Sequence, residues 1–137
     1  MREIIRGAAA VAGGTLSFLL GGLDDLLVVL TVLVCLDYVS GVIKGIYRHE
    51  LSSAVGFYGI LKKLMLFLVV SAAFMVQRII TAELPIRDIT VLFYISNEGV
   101  SLLENAAHLG LPVPSAVKTV LEQLHDRAEA DGGGKDE

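Results

Sequence analysis

The residues most able to do chemistry lie on one stretch in the C-terminal half of an otherwise apolar chain. Five polar side chains recur there at intervals of three and four residues: Asn97, Glu98, Ser101, Glu104 and Asn105. In an α-helix this spacing places them on one side, and we call the set the polar stripe. A carboxylate at the centre of a bilayer costs about 2.5 to 3.5 kcal/mol. If the helix lies in lipid, the stripe must therefore face a polar environment.

A further carboxylate, Asp37, lies inside another apolar run, residues 26–43. A buried carboxylate is tolerated when a cation or hydrogen-bond donor accompanies it. Three lysines are expected near the inner membrane interface and can reach Asp37, and they are Lys44, Lys62 and Lys63. The sequence therefore predicts an ion pair or a polar cap at this carboxylate.

Three environments could shelter the polar stripe: partners within the chain, neighbouring subunits, or water in a shared lumen. Glu98 and Glu104 have no obvious basic partner apart from Arg78 or Arg87. This favours a lumen or a subunit interface. Hydrogen bonding within the chain and an amphipathic helix lying on the membrane are the alternatives.

Residues of catalytic or metal-binding type do not form a familiar constellation. His49, His108 and His125 are far apart in sequence, and no loop has the glycine pattern that cradles phosphate. The single cysteine can form neither a disulfide nor a cysteine zinc site within one chain. We therefore expect no enzymatic activity, no cofactor and no metal site.

The composition indicates a lipid environment. Hydrophobic residues make up 54% of the 137 positions and charged residues 19%, whereas soluble domains average about 25% charged residues. A soluble domain of this length would leave much apolar surface in water. The net charge of −4, without a basic cluster interleaved with aromatic residues, argues against nucleic acid as a partner.

Four apolar segments approach the length of about 20 residues that a transmembrane helix needs. They cover about residues 7–23, 26–43, 64–80 and 89–109. A short interfacial helix, capped by Ser52 or Ser53 and ending at Lys62 and Lys63, is expected before the third segment. The predicted fold is an all-α integral membrane protein with four transmembrane helices, or three if the first segment lies in the interface.

The chain divides into a membrane domain, residues 1–114, and a C-terminal extension, residues 115–137. Pro112 and Pro114 end the last span, and Ser115 can cap a short cytoplasmic helix that runs to about Ala130. The glycine-rich acidic residues after it are expected to be disordered.

The distribution of basic residues predicts the orientation. The inner side of a four-span topology would carry Arg2, Arg6, Lys44, Arg48, Lys62 and Lys63, and the outer side Arg78 and Arg87. An excess of basic residues on the cytoplasmic side is typical of multi-pass membrane proteins. Both termini are then cytoplasmic.

Small residues recur every four positions in two places. The first set is Ala9, Gly13, Ser17 and Gly21, and the second is Gly41 and Gly45. This spacing lets another backbone approach closely, so we expect helix packing within or between chains. Mere tolerance of glycine in lipid is the alternative.

Three longer strings resemble one known family. They are LDYVSGVIKG (residues 36–45), ELSSAVGFYGILKKL (50–64) and FYISNEGVSLLENAAHLGLPVP (93–114). Their order and spacing resemble the toxin-secretion/phage-lysis holin family, the clostridial toxin-secretion type of phage holin. The resemblance covers about residues 10–125, and the third string is its most specific part.

The resemblance implies a small phage protein that oligomerises in the bacterial cytoplasmic membrane and opens lesions or pores. Endolysin or a toxin would pass as cargo without stable binding, and host cell lysis would follow. The implied partners are further copies of the chain and the lipid bilayer. Together with the polar stripe, the resemblance gives the hypothesis that Glu98, Ser101, Glu104 and Asn105 face the interior of the assembly.

Two other functions stay open at this point. An anti-holin or regulatory paralogue would insert and associate without making a lesion. A membrane scaffold would recruit a soluble partner through the acidic helix at residues 115–130.

Overall fold

The computed structural model describes residues 1–80 and 83–133, and in those ranges it contains helices and no strand. The helices are α1 (Arg2–Leu19), α2 (Asp25–Tyr47), α3 (Ser53–Ile79), α4 (Ile86–His108) and α5 (Ser115–Gly133). The all-α prediction is confirmed. Two helices, α2 and α3, are long and apolar enough to cross a membrane.

Side-chain caps fix the starts of these two apolar helices. The Asp24 carboxylate accepts a hydrogen bond from the backbone N–H of Leu27 at 3.0 Å. The Ser52 hydroxyl accepts one from the N–H of Val55 at 3.2 Å. Each cap satisfies a backbone donor that the first helical turn leaves free.

The first helix begins and ends earlier than the sequence predicts. It covers Arg2–Leu19 instead of residues 7–23. Gly21 and Gly22 follow it with φ angles of 84° and 99°, a conformation that glycine adopts readily and that ends the helix. At Gly21 a side chain would also collide, because a Cβ there would lie 3.0 Å from the Phe74 ring.

The third helix is longer than predicted, and so is the fifth. The expected interfacial helix and the span at 64–80 form one continuous helix, Ser53–Ile79, because Lys62 and Lys63 are good helix formers and do not interrupt it. The helix α5 continues to Gly133, so residues 131–133 of the expected disordered tail are helical. Residues 134–137 lie outside the described residues.

The helix α4 is the centre of the fold and packs against α2, α3 and α5. Its apolar contacts with α2 and α3 form the core, which consists of Leu30, Val34, Leu66, Val70, Val91 and Ile95. The helix α1 packs only against α3 among the described helices, near the hydrogen bond from the Ser71 hydroxyl to the carbonyl of Leu19 at 3.0 Å. The rest of α1 is exposed, whereas α4 is held on three sides.

Candidate functional site on the central helix

Two carboxylates from different helices meet on one lysine. The ammonium of Lys63 on α3 forms salt bridges with Asp37 on α2 and with Glu98 on α4. Asp37 is 7% exposed and Glu98 is 8% exposed, so both lie inside the bundle. The structure thus pairs Asp37 with one of the three lysines that the sequence offered, and it gives Glu98 a partner that the sequence did not indicate.

An amide completes this group. The side chain of Asn105 donates hydrogen bonds to Asp37 Oδ1 at 3.1 Å and to the Ser40 hydroxyl at 2.9 Å. We call Asp37, Lys63, Glu98 and Asn105 the polar cluster. No buried side-chain nitrogen or oxygen lacks a partner in the described part of the chain. A satisfied network of this kind fixes how α2, α3 and α4 fit together.

The polar stripe is divided between two sides of α4. Glu98 and Asn105 point into the bundle, whereas Asn97 and Ser101 are half-buried and Glu104 is exposed. The last three line a groove of about 360 Å³ between α4 and α5, together with Glu122, His125 and Asp126. The structure therefore brings part of the stripe to the polar cluster and part to the C-terminal helix.

The helix α5 folds back along α4 and lies against this groove. Leu121 sits over Gly99, where a Cβ would come within 2.9 Å of the leucine side chain. The His125 ring lies 4.9 Å from the Phe93 ring, and its Nδ1 is 3.3 Å from the Ser96 hydroxyl. Among the described helices, α5 packs only against α4.

The solvent-exposed part of α5 is charged. Its exposed side chains include Lys118, Glu122, Asp126, Arg127 and Glu129. The sequence predicted a cytoplasmic helix that extends beyond the last span, whereas this helix lies beside α4. A charged surface therefore accompanies α4 along its length.

A second buried charge holds the opposite end of the fold. Arg87, at the start of α4, is 3% exposed. Its guanidinium donates to the carbonyls of Leu20 at 2.9 Å and Gly22 at 3.0 Å, and to both oxygens of Asp24. These hydrogen bonds hold the pKa of the Asp24 carboxyl below its ordinary value. Arg87 thus clamps the turn between α1 and α2.

Replacing this arginine should detach the turn. We expect Arg87→Met to lower the free energy of unfolding by about 2 to 4 kcal/mol, because two backbone carbonyls and a carboxylate lose a charged donor. Thermal unfolding of the purified protein in detergent measures the change. Arg78→Met is the control: this guanidinium carbon lies 5.1 Å from the Phe18 ring centroid, a contact worth about 1 kcal/mol or less at the surface. Equal losses in the two variants would contradict the clamp.

The other predicted basic and small residues have separate surroundings. Arg48 lies 3.1 Å from the ring of exposed His108 at the ends of α2 and α4, and Lys44 and Lys62 line a cavity with Lys63. Gly41 faces Asn105, and Gly45 faces Leu51. Both glycines therefore have a neighbouring side chain within the same chain.

Of the four small residues of the first segment, Ala9, Gly13 and Ser17 lie on one face of α1, whereas Gly21 lies beyond the helix. Ala9 and Gly13 are exposed, and no atom lies within 4 Å of a Cβ built at Gly13. Ser17 is half-buried. Gly21 lies in the turn after α1, because the helix ends two residues earlier.

The sequence matches one known protein family over most of its length. The pattern of the bacteriophage holin family matches residues 14–126, which include the polar cluster, the whole polar stripe and most of α5. The chain belongs to the bacteriophage holin family. Holins of this family are non-enzymatic membrane proteins. The polar cluster is therefore part of a membrane protein.

One of the individual relatives is itself named a probable holin. A probable holin of Bacillus phage phi105 is 37% identical over 101 residues, which cover 74% of this chain and 70% of that protein. An uncharacterized 14.9 kDa protein from the region 3′ of nagH in Clostridium perfringens is 41% identical over 119 residues, covering 85% of this chain and 90% of the relative. The uncharacterized protein Lmo0128 of Listeria monocytogenes is 34% identical over 137 residues, covering 93% of this chain and 98% of the relative. No solved structure is significantly similar to the chain.

Proposed function

We propose that this holin forms homo-oligomers in the bacterial cytoplasmic membrane and opens lesions through which endolysin or a toxin leaves the cell. The cargo passes without stable binding, and host cell lysis follows. In the lesion state α1 to α4 span the membrane, or α2 to α4 if α1 lies in the interface. The C-terminus is cytoplasmic in that state.

One observation carries this proposal: among the described helices, the most enclosed one, α4, also buries the most polar and charged side chains. The helix α4 buries Arg87, Glu98 and Asn105, while its neighbours α2 and α3 are apolar enough for lipid. A single copy satisfies these groups internally. Several copies could instead turn the polar side of α4 toward water and keep α2 and α3 toward lipid, which is the arrangement that a water-filled lesion requires.

The closed state of a single copy covers most of the polar stripe in two ways, although Glu104 stays exposed. Lys63 compensates Glu98 inside the bundle, and α5 lies over the groove that contains Asn97, Ser101 and Glu104. Assembly replaces these intramolecular partners with water and with neighbouring subunits. Concentration-dependent association can then convert a harmless inserted protein into a lesion.

The charges of α5 require this helix to move when α4 is inserted among lipids. Each exposed charge near the bilayer centre costs about 2.5 to 3.5 kcal/mol, and α5 carries several. Removal of α5 into the cytoplasm avoids that cost and uncovers the stripe. The connection at residues 109–114 is not helical. It contains Gly110, Pro112 and Pro114, residues that interrupt helices, so it separates α4 from α5.

A matched pair of carboxylate variants tests the role of the stripe. We expect Glu104→Leu to reach the membrane in normal amount and to delay lysis severalfold, because the surface that must face water becomes apolar. Glu83→Leu removes an exposed carboxylate that lies outside α4 and should lyse on time. The measurement is inducible expression in bacteria with and without co-expressed endolysin, recording membrane potential, growth arrest and lysis.

The same experiment separates the proposed function from its rivals. A holin collapses the membrane potential when expressed alone and lyses cells with endolysin, whereas an anti-holin does neither. A scaffold loses its activity when residues 115–137 are deleted, while a holin changes only its timing. Normal lysis by Glu104→Leu would show that the stripe does not line the lesion.

A further inference from the structure

A cavity of about 490 Å³ opens between α2, α3 and the C-terminal half of α4. Four glycines line it and, because they have no side chain, leave space in the cavity: Gly41 and Gly45 of α2, and Gly56 and Gly59 of α3. This volume lies within the range of about 300 to 1,000 Å³ that is typical of sites for small molecules. The cavity is thus large enough for a polar lipid head group.

Two lysines bring positive charge to this cavity. Lys44 and Lys62 both line it, and neither forms a salt bridge with any residue of 1–80 or 83–133. Lys63 also lines the cavity, but its charge is committed to Asp37 and Glu98. Glu50 is the remaining acidic residue on the walls and is exposed to solvent. Two ammonium groups therefore remain for an anion.

The remaining walls favour an amphiphilic ligand. Leu51 is 42% exposed and Val55 is 58% exposed, so an apolar surface continues outward from the lysines. A small inorganic anion would leave that surface uncovered, whereas an acyl chain would cover it. Basic pockets between transmembrane helices on the cytoplasmic side are suited to phosphate-containing lipid head groups.

We propose that this cavity binds the phosphodiester head group of an anionic membrane lipid. The ammonium groups of Lys44 and Lys62 contact the phosphate, and the acyl chains leave past Leu51 and Val55. The assignment to the inner leaflet rests on the proposed topology, while the chemistry of the site does not depend on lesion formation. A bound lipid would tie the ends of α2 and α3 to the membrane surface.

Lipid binding to the purified protein in detergent tests this site directly. The probes are dioleoyl phosphatidylglycerol, which is anionic, and dioleoyl phosphatidylcholine, which is zwitterionic, with bound lipid counted by native mass spectrometry. We expect preferential binding of phosphatidylglycerol and at least about tenfold weaker binding by Lys44→Gln with Lys62→Gln. Arg2→Gln with Arg6→Gln removes the same charge from exposed positions of α1 and should bind within about twofold of the wild type.

Three outcomes would overturn the proposal. Equal weakening by the two double variants would mean that binding follows overall charge. Equal binding of both lipids would remove the role of the anionic head group. Displacement of phosphatidylglycerol by an equal concentration of inorganic phosphate would identify a phosphate site without a lipid component. Because the assay is made in detergent, failure of the lesion mechanism leaves its result unchanged.

Discussion

Lys63→Met is expected to destabilise the protein by about 3 to 5 kcal/mol, the usual cost of leaving a buried charge without its partner. Asp37 and Glu98 would stay in the interior with one less cation between them. Such a loss is a large part of the 5 to 15 kcal/mol that typically separates folded from unfolded domains. We therefore expect a much lower midpoint of thermal unfolding in detergent and less protein in the membrane.

The neighbouring lysine provides a matched control for this prediction. Lys62 is exposed and forms no salt bridge in the described part of the chain, so Lys62→Met should change the free energy of unfolding by less than about 1 kcal/mol. The same measurement on both variants separates the position of the charge from its number. Equal unfolding midpoints for Lys63→Met and Lys62→Met would contradict the role of the polar cluster.

A compensated variant distinguishes loss of charge balance from loss of packing. Lys63→Met combined with Asp37→Asn and Glu98→Gln removes all three charges and preserves similar volumes. Replacement of a complete buried ionic group by neutral residues is often tolerated, whereas removal of one member is not. We expect the triple variant to recover most of the stability that Lys63→Met loses.

The sequence predicted the elements whose signals are local. Long, almost uninterrupted apolar runs indicate α2 and the second half of α3. The capping residues Asp24 and Ser52 lie directly before the starts of these helices. The basic pair Lys62–Lys63 was interpreted as a boundary between two helices, although nothing in lysine itself breaks a helix. The apolar helices were therefore predictable from neighbours in sequence, whereas several helix ends were not.

The contacts that form the candidate site depend on residues distant in sequence. Lys63 and Glu98 are 35 positions apart, and Arg87 and Asp24 are 63 positions apart. Asp37 and Glu98 were expected to need polar surroundings, but the sequence alone could not choose a basic partner from the five available, which are Lys44, Lys62, Lys63, Arg78 and Arg87. The folded geometry makes that choice, because Lys63 alone among them contacts both carboxylates.

The position of α5 was the least predictable feature. Its sequence is compatible with a free cytoplasmic helix, and no local signal directs it back onto α4. The contact depends on the absence of a side chain at Gly99, which admits Leu121, and on the fit of the His125 ring against Phe93. Such complementarity becomes visible only when both helices are placed.

In the proposed mechanism α5 must leave α4 before a lesion opens, and a reversible cross-link between these helices tests this step. A Cβ built at Gly99 lies 3.5 Å from Cγ of Leu121, so Gly99→Cys with Leu121→Cys places two thiols within reach of a disulfide. Cys35 is exposed on α2 and is replaced by alanine to exclude other bridges.

The decisive measurement is dye release from liposomes that contain this variant, before and after reduction. We predict that the oxidised protein inserts but releases dye at least about tenfold more slowly than the Cys35→Ala parent, and that a reductant restores the rate. Release at the parent rate from fully oxidised protein would contradict the account, because α4 and α5 would then form the lesion together.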